Sequence, residues 1–178
     1  MVSASPNIRD AVFNAAAQAR LGPLKEPAGL LPGSDDRPAD ILLPYWSKGT
    51  DTALDITVVN PLQVGLVVRV SQEGDHAVEH AHQAKMRKYH DRCEQEGLNF
   101  SPMAVDTLGG WHSSALDVLI KLGRQLARVV GKKEGGTVRQ LRQRLAVLLV
   151  RDNMTMLHSR TPSFPPPHID GDVDSDEI

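Results

Sequence analysis

A single cysteine, Cys93, in 178 residues excludes an internal disulfide and any zinc site built on two or four cysteines. The seven histidines contain no HExxH pattern, and the chain has no GxGxxG and no phosphate-binding loop. No internal repeat is visible. The longest apolar run, residues 145–150, falls far short of the about 20 residues that a bilayer span needs. Asn7, Arg9 and Asp10 interrupt any apolar segment near the N-terminus, so no signal peptide is expected. These absences predict a soluble, intracellular protein.

A formal net charge of −2 likewise excludes a global polycation. That average conceals a gradient. Asp170, Asp172, Asp174, Asp176 and Glu177 crowd the last nine residues, and taking away these five charges turns −2 into +3 for residues 1–169. Nine Lys or Arg residues lie between Lys121 and Arg151, which predicts a locally basic surface. On charge alone, the acidic end is expected to compete with nucleic acid for that surface.

The spacing predicts a helix over 7–21, with Asn7 as N-cap, Ile8, Val12, Ala15, Ala16 and Ala19 on one face, and Gly22-Pro23 as stop. After a Gly/Pro-rich stretch come strand candidates at 39–46 and 53–59, joined by SKGTDT as a hairpin. Residues 64–70 read as a further strand or a covering segment. A helix over 75–96 ends at Gly97, and a strand over 100–107 closes at Leu108-Gly109-Gly110. Helices over 113–130 and 137–157 are separated by GKKEGG. From Thr161, Pro162, Pro165, Pro166 and Pro167 and then the acids predict a disordered tail. The expected organisation is one α/β domain over 1–160 with a Pro-rich acidic tail over 161–178.

Asp55 lies in ALDITVV, a strand apolar on both faces, where a carboxylate is costly unless it is paired, hydrogen-bonded or bound to a metal. Asp40 opens the facing strand in RPADILL, where it is either a turn residue or a partner for Asp55. Two carboxylates near one end of a sheet make a hard oxygen site suited to Mg²⁺ or Mn²⁺. In AHQAKMRKYH, Ala81, Lys85 and Tyr89 form an i, i+4, i+8 stripe with Lys88 at its edge. Lys85 there either snorkels or points into a site where its charge meets phosphate. His76/His80 and His90/Cys93 have ligand-like spacing but read better as a solvated helix face, with Cys93 packed. Arg124 and Arg128 share a helix face able to track a phosphate backbone, and Lys132 and Lys133 follow.

In combination, RPAD, LDITVV with 14 residues between Asp40 and Asp55, AHQAKMRKY and FSPMAVDTLGGW resemble the restriction-endonuclease-like domain of non-long-terminal-repeat retrotransposon reverse-transcriptase polyproteins, in the PD-(D/E)xK nuclease superfamily. The likeness covers about residues 7–157. It departs in having Ala39 between Pro38 and Asp40. It also lacks the (D/E)xK lysine after Asp55, because Ile56-Thr57 follows. The resemblance implies a central mixed sheet of about four strands flanked by helices, with extra C-terminal helices. It implies that Asp40 and Asp55 bind Mg²⁺ or Mn²⁺, that Lys85 is the catalytic lysine moved onto a helix, and that Tyr89 accompanies it. Lys88, Arg124, Arg128, Lys132 and Lys133 would contact nucleic acid.

The implied function is metal-dependent nicking of DNA, in company with element RNA, in the nucleus. The competing expectation is a catalytically silent nucleic-acid-binding or interaction module, a decayed fragment of such an element.

Overall fold

A computed structural model describes residues 2–3, 6–34, 36–63 and 65–160. Its elements run β1 (Val2–Ser3), α1 (Pro6–Gln18), β2 (Leu24–Lys25), β3 (Ile41–Ser47), β4 (Thr50–Val59), α2 (Val67–Val70), α3 (His76–Gln95), β5 (Asn99–Asp106), α4 (Ser113–Val130) and α5 (Glu134–Arg160). This is an α/β architecture, a mixed sheet with helices on both faces. The expected tail over 161–178 lies outside the described residues.

The strand β4 organises the sheet. Its residues 52–59 are all buried, which is why its sequence lacks the polar alternation of a half-exposed strand. Along one side it pairs in parallel with the whole of β5, from Thr52↔Asn99 to Val59↔Asp106. Along the other it pairs antiparallel first with β3 and then, at Thr57 and Val58, with β1. The hairpin from β3 to β4 turns on Lys48 and Gly49 alone, both at positive φ (54° and 78°), the geometry whose twist matches that of the flanking strands. The joint is thus shorter than the expected SKGTDT, because Ser47 and Thr50 already pair. A bulge between Leu43 and Ser47 follows from Pro44, which has no N–H to donate, and Asp51 accepts the N–H of the displaced Tyr45 at 2.9 Å.

Side-chain alternation divides the interior in two. Ile41, Leu43, Leu54, Ile56, Met103 and Val105 face α1, α4 and α5. Leu42, Ala53 and Phe100 face α3, meeting Tyr89 and Cys93. The predicted apolar face of α1 is buried, and its alanines allow close approach. The start of that helix differs from expectation. Pro6 opens it, as a residue with no N–H to leave unpaired, and the Asn7 amide reaches Asp152 instead of capping.

Two further expectations are corrected. Of the two readings open for residues 64–70, the strand is not formed: residues 67–70 make one short helix, with i+4 bonds such as Ser71 N–H to the Val67 carbonyl. Gly135 and Gly136 lie inside α5, not in a linker: the packing of α5 on α4 outweighs their low helix propensity. At the contact itself, Gly123 of α4 has no room for a Cβ, which would sit 2.8 Å from Val138 Cγ2 and 2.9 Å from Val138 Cα.

Candidate functional site

The register of the hairpin brings the two aspartates together. Ile41 pairs with Leu54 and Leu42 with Ala53, so the residue one step before β3, Asp40, comes close to Asp55, whose side chain is on the face toward α3. Backbone bonds hold that step: Asp40 N–H donates to the Leu54 carbonyl at 2.9 Å, and Ile56 N–H donates to Asp40 Oδ2 at 2.7 Å. Like charges brought close across a strand pair repel. Burial first, and then the neighbouring Asp55, hold the Asp40 carboxyl above the ordinary aspartate range. The Ile56 N–H, Arg9 and Lys85 pull the other way.

Lys85 answers Asp55. Its ammonium lies 2.8 Å from Asp55 Oδ2 and 3.0 Å from Oδ1, and the Thr57 hydroxyl donates to Oδ2 at 3.3 Å. The Asp55 side chain is only 9% exposed and that of Lys85 20%. A helix stripe with alanine below and tyrosine above thus aims its lysine inward over the sheet, the second of the two readings that the 81/85/89 spacing left open.

Tyr89 stands beside this pair without bonding to it. Its ring is buried edge-on to Phe100, with centroids 5.6 Å apart, and Lys85 Nζ is 5.8 Å from its centre. Its hydroxyl accepts from Lys88 Nζ at 2.6 Å. Lys88 in turn lies 3.5 Å from Asp36, which Arg92 holds at 2.7 Å. The contact with Tyr89, followed by Asp36, raises the Lys88 pKa. Lys88 therefore ties the loop before β3 to α3 and caps Tyr89.

Among the other basic residues expected to bind nucleic acid, Arg124 and Arg128 both turn to Glu134, at 3.7 and 3.2 Å. Lys132 and Lys133 are exposed at the start of α5. None of these four is on the face that carries Asp55.

The donor set fits a hard divalent cation. Asp40 and Asp55 offer only carboxylate oxygens, and Asp40 Oδ1 accepts no hydrogen bond among the described residues. A cation at that oxygen would offset the burial and the Asp55 repulsion that raise the Asp40 pKa. A separate group, His90, Asp91 and Glu94, brings its ligand atoms within 4.8 Å of one another, but on a largely solvent-facing turn of α3. Cys93 is buried in the core, and burial pushes its thiol up, away from thiolate chemistry.

A neighbouring cluster had no legible motif. His112 caps α4, its Nδ1 accepting from Ser114 N–H at 3.3 Å and meeting Ser114 Oγ at 2.8 Å, while Nε2 meets Glu79 at 2.8 Å. His82, one turn before Lys85, stacks on His112 at 3.8 Å and lies 3.3 Å from Ser114 Oγ. Burial and the adjacent His112 push the His82 pKa down, against Glu79 and the Pro102 carbonyl. Hydroxyl, imidazole and carboxylate stand in line here, but the Nδ1 lone pair is committed to the helix cap. The cluster closes the outer edge of β5, where Pro102 has no N–H and the Ala104 carbonyl accepts from His112 N–H. Arg9 is the other residue missed. It lies close enough to Asp40 to lower its pKa, but nothing in the spacing of α1 marks it.

No family model matches the chain, and no curated protein matches it. Among the described residues, no helix is long and apolar enough to cross a membrane.

Proposed function

We propose that this chain is a metal-dependent DNA endonuclease domain of the PD-(D/E)xK type, derived from a retrotransposon and acting in the nucleus on DNA in company with element RNA. The observation that carries the reading is the closeness of Asp40, just before β3, to Asp55 in β4, with Lys85 delivered to Asp55 from α3. Asp40 and Asp55 would hold Mg²⁺ or Mn²⁺. Such an ion supplies charge stabilisation at the scissile phosphate and a more acidic bound water.

The chain's own groups do the rest. Lys85 brings a fixed positive charge to the anionic phosphodiester, and Asp55 keeps that ammonium aimed at the sheet. The Ile56 N–H pins one Asp40 oxygen and leaves the other available. Tyr89 walls Lys85 on the side of the α3 core. The hydrolysis adds water at phosphorus and releases one hydroxyl end and one phosphate end.

Supercoiled plasmid incubated with the protein in Mg²⁺ and in Mn²⁺ tests this directly. Ion-dependent nicking that disappears in Asp55→Ala and Lys85→Ala from parallel preparations is the expected outcome. Equal nicking in wild type and variants refutes the assignment.

One observation favours a second reading, a catalytically silent module. Both Asp55 oxygens already meet the Lys85 ammonium, a self-contained ion pair that satisfies the strand without any ligand. Folded protein that nicks nothing in either ion, yet binds DNA with steep salt dependence, would establish that reading in place of the first.

A further inference from the structure

On the sheet face away from Asp55, a groove of about 680 Å³ runs between α4 and α5. Its floor is apolar, built from Ile120, Val138 and Ala146, and the half-buried Trp111 stands in its wall. Arg124, Arg139 and Arg142 line it too. The lone lining acid, Glu134, is shared between Arg124 and Arg128, at 3.7 and 3.2 Å. Arg139 and Arg142 are different: both are exposed, and neither meets an acid among the described residues. Their i, i+3 spacing puts them on one side of α5, along the groove.

We infer that this groove binds single-stranded nucleic acid, with a base against Trp111 and the backbone phosphates on Arg139 and Arg142. The indole chooses that occupant over an acidic polypeptide, and two further features agree with it. An indole offers a flat face on which any base stacks, whereas a carboxylate side chain gains nothing from it. Guanidinium is planar, and it matches a phosphate through paired N–H groups. The apolar floor suits the face of a base, and a duplex would keep its bases stacked inside and away from Trp111. The groove sits in the most basic stretch of the chain, where Glu134 is the one acid against nine Lys or Arg between residues 121 and 151. This inference does not require that the chain cleave anything.

The test is equilibrium binding of a labelled oligothymidylate of about 15 nucleotides, a length that covers one single-strand site, in EDTA so that cleavage cannot intervene. Salt is varied, and Trp111 fluorescence is read in a Trp46→Phe background. Binding should quench Trp111. The double variant Arg139→Gln/Arg142→Gln should weaken binding about tenfold at low salt and flatten the log–log salt slope by about 1.4, since each lost phosphate contact removes about 0.7 for a single strand. Lys121→Gln/Arg151→Gln removes the same charge from the same two helices outside the groove lining and should change affinity less than threefold.

Equal weakening by both double variants would overturn the site in favour of diffuse attraction. Polyglutamate binding as tightly and quenching Trp111 as much would overturn the choice of occupant. Tighter binding of duplex without quenching would do so too, and no binding at low salt would end the proposal. Loss of plasmid nicking alone would leave it standing.

Discussion

Replacing Lys85 by Met removes one half of an ion pair whose other half cannot escape. Asp55 is held in a central strand with its side chain 9% exposed, and after the substitution its charge keeps only the Thr57 hydroxyl. Breaking a buried pair in this way costs 3–5 kcal/mol, and the partial exposure of Lys85 points to the lower end, about 3 kcal/mol. Asp55→Asn is not the mirror image. The side-chain amide still accepts from Lys85, and the lysine, at 20% exposed on a flexible stem, can turn toward water, so about 1 kcal/mol is expected. In the double variant no buried charge remains unpaired, and it should be more stable than Lys85→Met alone, with a coupling energy of about 2 kcal/mol. For a chain of this size these costs correspond to Tm losses of about 9 °C for Lys85→Met and about 3 °C for Asp55→Asn. Urea and thermal unfolding of the four proteins, followed by circular dichroism, measure the cycle. Equal losses in the two single variants, or a double variant equal to their sum, would refute the pair as described, whatever the protein does.

Asp40→Asn should raise Tm at neutral pH. Burial and Asp55 lift the Asp40 pKa above 3.8 in the folded protein, so the wild type surrenders stability as pH rises from 3.8 through the folded value, while asparagine still accepts the Ile56 N–H and carries no such dependence. The gain should vanish below pH 3.8, and thermal melts across that range in which Asp40→Asn is the less stable protein at neutral pH would contradict the account. Gly123→Ala should lower Tm by about 3 °C, because overpacking against Val138 costs about 2 kcal/mol and the better helix former returns about 1. A rise in Tm would show that α4 and α5 are less closely set than described.

Much of the architecture was legible because it depends on local period. The Ala81, Lys85, Tyr89 stripe reads directly as a helix face, and the unbroken apolar run around Asp55 reads as a strand covered on both sides. Where local and tertiary demands conflict, the sequence misleads. Gly135 and Gly136 read as a break, yet they belong to the first turn of a helix that packs along α4. Residues 67–70 carry β-branched side chains, yet they close into helical turns. The cluster of Glu79, His82, His112 and Ser114 brings residues more than 30 positions apart around the edge of β5, and no spacing announces that.

The same division runs through the candidate site. From residue types alone follow a costly carboxylate in an apolar strand, a second one a hairpin away, and a lysine on a buried stripe, since burial cost and periodicity belong to each segment separately. That Asp40 comes close to Asp55 rests on the pairing of β3 with β4, whose register a bulge at Pro44 and a turn at Lys48-Gly49 jointly set. That Lys85 meets Asp55, while Arg124 and Arg128 fold back onto Glu134 and leave Arg139 and Arg142 without an acid among the described residues, was decided by tertiary packing. The strength of an ion pair depends on distances between segments and on the water excluded from them, and neither quantity exists until the chain has folded.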